Sequence, residues 1–197
     1  GRNGLFLVEK NNQVGIYDKD ENTGKKEIIP IEYEELTLID AMNELYLAKK
    51  NGLFGVIDKE NHTMIYPQYV KIGVDVSQYE ANGLKNGYVL LGKIIPVQQN
   101  EKWMFYTIDT STNSDGSRNI QCNLIKDIIV DDIGCIAKST IGKVSNLMIL
   151  KDYNLLVIKN NERYGFLSID RKVLTPVVYI DVYFGTSAGK KDYYVVN

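Results

Sequence analysis

One histidine and two cysteines stand among 197 residues, and that scarcity removes several chemistries together. Hydrolysis by a Ser-His-Asp relay needs a histidine held between a carboxylate and a nucleophile. The only candidate, His62, lies in the polar run Glu60-Asn61-His62-Thr63, which reads as an exposed turn. Cys122 and Cys135 form no Cys-x-x-Cys pair and cannot build a metal site by themselves. They read as buried thiols, and a disulfide between neighbouring strands is the alternative that spacing leaves open. A phosphate-cradling glycine loop is missing, because Gly73, Gly83, Gly87 and Gly92 are scattered and precede no helical pattern. No apolar run reaches about 18 residues, so no transmembrane helix is expected. Net charge is -2 and the only C-terminal basic pair is Lys190-Lys191, which argues against nucleic acid as a partner. Alanine is scarce and no stretch keeps a 3.6-residue apolar period, so helix is not expected. No signal peptide is visible. Gly1-Arg2-Asn3 does not read as a native start, which leaves room for a leader or anchor upstream and favours a cell-envelope or extracellular setting over the cytoplasm.

What the chain has is aromatic and β-branched residues in a recurring order. Fourteen tyrosines and five phenylalanines favour strands. The clearest stretch runs from Leu45 to Tyr69: an alternating strand, an Asn51-Gly52 turn, Phe54-Gly55-Val56-Ile57-Asp58, a second polar turn, then Ile65-Tyr66-Pro67 and Tyr69. Asn-Gly supplies the positive φ angles of a two-residue hairpin turn. Gly55 lets a neighbouring backbone approach. Pro67 marks a strand edge or end, since it cannot donate to a ladder. The same order recurs as Asn11-Asn12, Val14-Gly15, Pro30 and Tyr33, and again as Asn160-Asn161, Tyr164-Gly165, Pro176 and Tyr179. A degraded copy starts at Lys102-Trp103, where the glycine is Met104, no proline follows, and Val130-Asp131-Asp132-Ile133 takes the Tyr position.

The pattern Lys-Asn-Gly, aromatic-Gly, Ile-Asp, apolar-apolar-Pro, Tyr-acidic resembles the bacterial WG (KWG) repeat over Leu5 to Leu36, Leu45 to Ile72 and Leu155 to Val182. The Trp-Gly pair of that family is nowhere intact here. The resemblance implies a β-repeat architecture with a binding or scaffold role, and it implies no catalytic residues. Fold class is therefore expected to be all-β: one domain, 1–197, of about four antiparallel hairpin units (near 4–44, 45–80, 81–150 and 151–197). These would form a propeller-like ring of four-stranded sheets, with an open hairpin stack as the alternative. The final strand, Tyr193-Tyr194-Val195-Val196, reads as the opening strand of a further unit or as the closure of a ring.

Four groups invite a chemical reading. Asp131-Asp132 could act as an acid/base pair, but it falls where the first unit has Glu34-Glu35 and the last has Asp181, so it belongs to the repeat. Ser111-x-Asn113-x-Asp115-Gly116 has the alternating oxygens and glycine of a calcium loop. However, Ser111 stands where that loop needs Asp and Cys122 where it needs Glu, and Asp115-Gly116 reads as a hairpin tip. Trp103 with Tyr17, Tyr33, Tyr46, Tyr69, Tyr106, Tyr164 and Tyr179 could stack sugars or peptides, although packing at repeat positions accounts for most of them. No catalytic, cofactor-binding or metal-ligating set emerges. The expectation is a non-catalytic module that binds another protein, with a carbohydrate- or cell-wall-binding domain as the alternative and an enzyme working through paired carboxylates as a distant third.

Overall fold

The computed structural model describes residues 4–19, 24, 26–75, 88–89, 93–139, 144–150, 154–170, 175–187 and 190–197. Gly83, Gly87, Gly92 and Leu174, named above, lie outside them. Among the described residues there are 21 strands and no helix, as the composition leads one to expect. The chain divides into two compact units, Gly1–Ile72 with Thr110–Cys122, and Gly73–Asp109 with Asn123–Asn197.

In the first unit, β1 (Phe6–Lys10), β2 (Gln13–Asp18) and β3 (Lys26–Tyr33) form an antiparallel sheet in that order. A second antiparallel sheet follows, β4 (Glu35–Asp40), β5 (Leu45–Lys50), β6 (Leu53–Ile57) and β7 (Thr63–Tyr69), with a short β8 (Lys71–Ile72) after it. The turns at Asn11-Asn12 (φ 53° and 60°) and Asn51-Gly52 (φ 54° and 76°) have both central residues left-handed, the geometry that matches strand twist in a two-residue hairpin. Ile16, Ile29, Tyr33, Ala48 and Ile57 form the core here.

The repeated glycine has a specific task. A Cβ on Gly55 would lie 2.5 Å from the Ile65 carbonyl oxygen and 2.7 Å from the Pro67 nitrogen. At Gly15 the corresponding distances are 2.6 Å to the Ile29 oxygen and 2.8 Å to the Ile31 nitrogen. In both places the register shifts at the glycine. The proline strand thus bulges across the glycine, and proline is tolerated there because a bulge needs no ladder donor.

The second unit begins with β9 (Val74–Asp75) paired to β10 (Tyr88–Val89). Next come β11 (Ile94–Gln99) and β12 (Lys102–Thr112), joined through Asn100-Glu101, and β13 (Arg118–Leu124) beside β12. Then follow β14 (Asp132–Ile133), β15 (Cys135–Ser139), β16 (Val144–Leu147), β17 (Ile149–Leu150), β18 (Leu155–Asn160) and β19 (Arg163–Ser168). The last two are β20 (Asp181–Ser187) and β21 (Lys190–Val196). β18 carries β14 and β17 along one edge and β19 along the other. β16, β15, β20 and β21 make a separate sheet. Two clusters fill this unit, one around Trp103, Phe105, Met148 and Ile158, the other around Leu147, Val157, Phe166 and Val182.

Three features depart from a plain succession of antiparallel units. β15 and β20 pair in parallel, Lys138 against Tyr183. The sheets are out of phase with the units as read in the sequence: the strand that follows Tyr33 does not return to β1–β3 but opens the sheet of β5. Finally, no closed barrel or propeller ring is found among the described residues.

Candidate functional site

One pairing recurs in all four places where the sequence shows a unit. The residue before the glycine faces the Tyr position: Val14 with Tyr33, Phe54 with Tyr69, Trp103 with Val130, and Tyr164 with Tyr179. Trp103 N–H donates to the Val130 carbonyl at 2.9 Å, and Tyr164 N–H to the Tyr179 carbonyl at 2.8 Å. Trp103, Tyr33 and Tyr69 are buried, while Tyr17, Tyr46, Tyr106, Tyr164 and Tyr179 are half-buried. Burial, helped by the Glu32 charge, pushes the Tyr33 hydroxyl up to about 12; that hydroxyl donates to Asn61 Oδ1 at 2.7 Å. These rings are packing elements with their polar ends satisfied.

The acidic residue after the Tyr position also has a structural task. Glu34 N–H donates to the Lys49 carbonyl at 2.8 Å and its Oε1 accepts from Gly52 N–H at 2.9 Å. Asp131 N–H likewise donates to the Lys159 carbonyl at 2.9 Å, and its Oδ2 accepts from Asn161 N–H at 2.8 Å. Each carboxylate therefore caps the hairpin turn of the strand pair that follows it. Lys102 and the Asn161 amide hold the Asp131 carboxyl below the usual carboxylate range. Asp132 faces Lys159 across the β14–β18 pair. The pair Asp131-Asp132 is thus a capping and cross-strand device, and neither carboxyl is placed as a free acid.

The remaining sequence candidates separate in space. Asp115 Oδ1 accepts from the Ser117 N–H and hydroxyl, Asn113 N–H donates to the Ser117 carbonyl, and Gly116 has φ 83°. The calcium-like spacing is a closed hairpin tip, and the Ser117 donors lower the Asp115 pKa. Cys122 and Cys135 are both free thiols. Burial, with the Asp181 charge adding to it, pushes the Cys135 thiol up to about 12, so it is not a nucleophile at neutral pH.

Two features were not legible in the sequence. Asp58, Glu60 and His62 bring ligating atoms within 4.8 Å of one another in an exposed turn. Asp58 Oδ1 accepts from the N–H groups of Glu60 and His62, and Asp58 Oδ2 lies 2.9 Å from His62 Nδ1. The Asp58 carboxylate raises the His62 pKa above 6.5. Asp-x-Glu-x-His is the signal that could have found the cluster; the turn's own hydrogen bonds account for its geometry.

The second feature is an apolar groove in the first unit, of about 420 Å³, lined by Leu5, Phe6, Leu7, Leu36, Leu38 and Tyr46, with Ile16, Ala41 and Glu44 completing it. Leu7 and Leu38 are 55% and 50% exposed, and neighbouring Met42 is 76% exposed. Glu44, the one charged residue in the lining, is paired with Lys59 at 2.6 Å. The groove is therefore a contact surface, with no acid or base free to act in it. Its signal in the sequence is Leu7 and Leu38, apolar residues set at strand positions that alternation turns outward. A smaller hollow in the second unit, lined by Asp132, Cys135, Ile136, Asn146, Lys159 and Tyr164 among others, is mainly polar.

Comparison with protein-family models, with curated proteins and with solved structures finds no match for this chain.

Proposed function

We propose that this chain is a degenerate WG-type β-repeat module that acts without catalysis, by binding another protein through the first unit. The observation that carries this is the apolar groove between Phe6, Leu7, Leu36 and Leu38, with leucines half exposed. Apolar residues gathered around one concavity are the usual mark of a contact site, whereas single exposed leucines are not. The internally paired Glu44 gives such a partner an apolar surface with a neutral rim. The recurring residue-to-Tyr pairing supports the repeat assignment, and a propeller-like or stacked arrangement of the units is part of the same proposal.

The test is capture from the lysate and the cell-wall fraction of the source organism, with the wild-type chain and the L7K/L38K variant immobilised side by side. One protein recovered at near-stoichiometric yield by the wild type and lost from the variant is the expected result. Equal recovery on both would sink the groove as the site. Retention on the wall fraction, released by free sugar, would replace the protein partner with a glycan.

A further inference from the structure

We infer that the partner of the first unit docks as an extended strand on the outer edge of β1, carrying a basic residue opposite Glu9 and an apolar residue opposite Val8. This rests on the protein-binding reading above and specifies its chemistry.

The argument comes from what covers the equivalent edge elsewhere. The hairpin-closing pairs Lys10–Gln13, Lys50–Leu53 and Asn160–Arg163 align β1, β5 and β18 residue for residue. Glu9 is therefore the counterpart of Lys49 and Lys159, and Val8 of Ala48 and Ile158. The outer edge of β5 is covered by β4, with Glu35 facing Lys49 and Leu36 facing Ala48. The outer edge of β18 is covered at the same position by β14, with Asp132 facing Lys159 and Ile133 facing Ile158. β20 covers β21 in the same way, with Asp181 facing Val196 and Val182 facing Val195. Three times, then, an acidic residue followed by an apolar one lies on the edge, each entered by an N–H donated to the facing carbonyl: Glu34 to Lys49, Asp131 to Lys159 and Ile180 to Val196.

Among the described residues no strand covers β1, which is the outermost strand of its sheet. Alternation from the Lys10–Gln13 pair directs the backbone groups of Leu5, Leu7 and Glu9 outward. Leu5 and Leu7 also line the groove, so an added strand would reach the apolar surface with alternate side chains. The charge at this edge is reversed, Glu9 standing where the covered edges have lysine. An acidic residue in the incoming strand would meet a like charge directly opposite, which destabilises a pair, and a lysine or arginine would complete it. The turn Asn11-Asn12 offers amides of the kind that Glu34 and Asp131 cap elsewhere, so an acidic residue is expected just before the basic one. The occupant is thus an acidic-basic-apolar-x-apolar strand.

The experiment uses the full chain and fluorescein-labelled peptides with the sequence of residues 33–40, with and without E35K, followed by fluorescence anisotropy. The E35K peptide should bind about two- to fivefold more tightly than the unsubstituted one, the range that one cross-strand pair commands. The E9K variant of the protein, changed at an exposed position and checked for an unaltered thermal transition, should reverse that preference. N-methylation of the peptide at Thr37, whose counterpart amide bonds β5, should abolish binding. No binding of the E35K peptide, an unreversed preference in E9K, or undiminished binding of the N-methyl peptide would each overturn strand addition. None of these removes the groove, which stands or falls on the L7K/L38K capture.

Discussion

The hairpins β5–β6 and β11–β12 begin alike and end differently. Both turn through two left-handed residues, Asn51-Gly52 and Asn100-Glu101, and both set an aromatic residue, Phe54 or Trp103, against the Tyr position. After that residue one chain has Gly55 and the other Met104. Over Gly55 the backbone of Ile65 to Pro67 crosses where a Cβ would be. At Met104 a side chain occupies that space, no proline strand crosses, and β12 instead continues to Thr112 beside β13. Glycine and proline are lost together because they are two halves of one contact, the bulge that lets the third strand lie across the second. The aromatic pairing survives because it needs neither.

The sharpest way to break this comparison is to place a side chain at Gly55. Gly55→Val is expected to cost about 3 kcal/mol or more, because the methyls meet backbone that cannot yield, while Met104→Ala, at a half-buried position, should cost about 1–2 kcal/mol. Urea unfolding followed by tryptophan fluorescence and circular dichroism measures both. Similar losses at the two sites would mean that the crossing strand is not what the glycine serves.

A smaller effect concerns what the two hairpin regions share. Glu34→Ala and Asp131→Ala each remove the acceptor for one turn amide. Hydrogen exchange should quicken about fivefold at Gly52 in the first variant and at Asn161 in the second, as loss of roughly one hydrogen bond implies. Each variant should leave the other turn unchanged. An effect at only one site would show that the two carboxylates are not equivalent caps.

The smallest effect is local to the turn after β6, a hairpin end with no counterpart at β12. His62 should titrate above 6.5 in a proton NMR series, because Asp58 stabilises the imidazolium, and D58N should bring it back toward 6.5. The folded-state value is the raised one, so any stability the pair contributes is complete below the unfolded value near 6.5. It is lost as pH rises through the folded value. An unchanged titration in D58N would remove the pair from the account.

Much of this fold is local and so was legible in the sequence. Turn residues such as Asn51-Gly52 and alternation such as Leu45 and Leu47 act within one hairpin, and they led directly to the strands observed. The repeat also gave the approach glycine and the structural role of Asp131 at the acidic position. What was not legible depends on partners distant in sequence. Nothing in Lys138 or Tyr183 announces a parallel pairing. The destination of the strand after Tyr33 is equally silent, since Glu35–Asp40 alternates as well for a sheet behind it as for one ahead. The groove escaped for the same reason: Leu7 and Leu38 are ordinary strand residues until two sheets bring them together.

The phase offset between units and sheets has a practical side for anyone dividing the molecule. A cut suggested by the sequence falls in the turn at Ala41–Glu44, between one unit and the next. That bond lies inside a ladder: a fragment starting at Leu45 would leave behind β4, the strand paired along β5 from Lys49 to Leu45, and would expose a fresh edge. A fragment starting at Glu34 keeps the whole four-stranded sheet together with its turn cap. The place to divide this chain is therefore just after Tyr33, one strand earlier than the repeat in the sequence would have it.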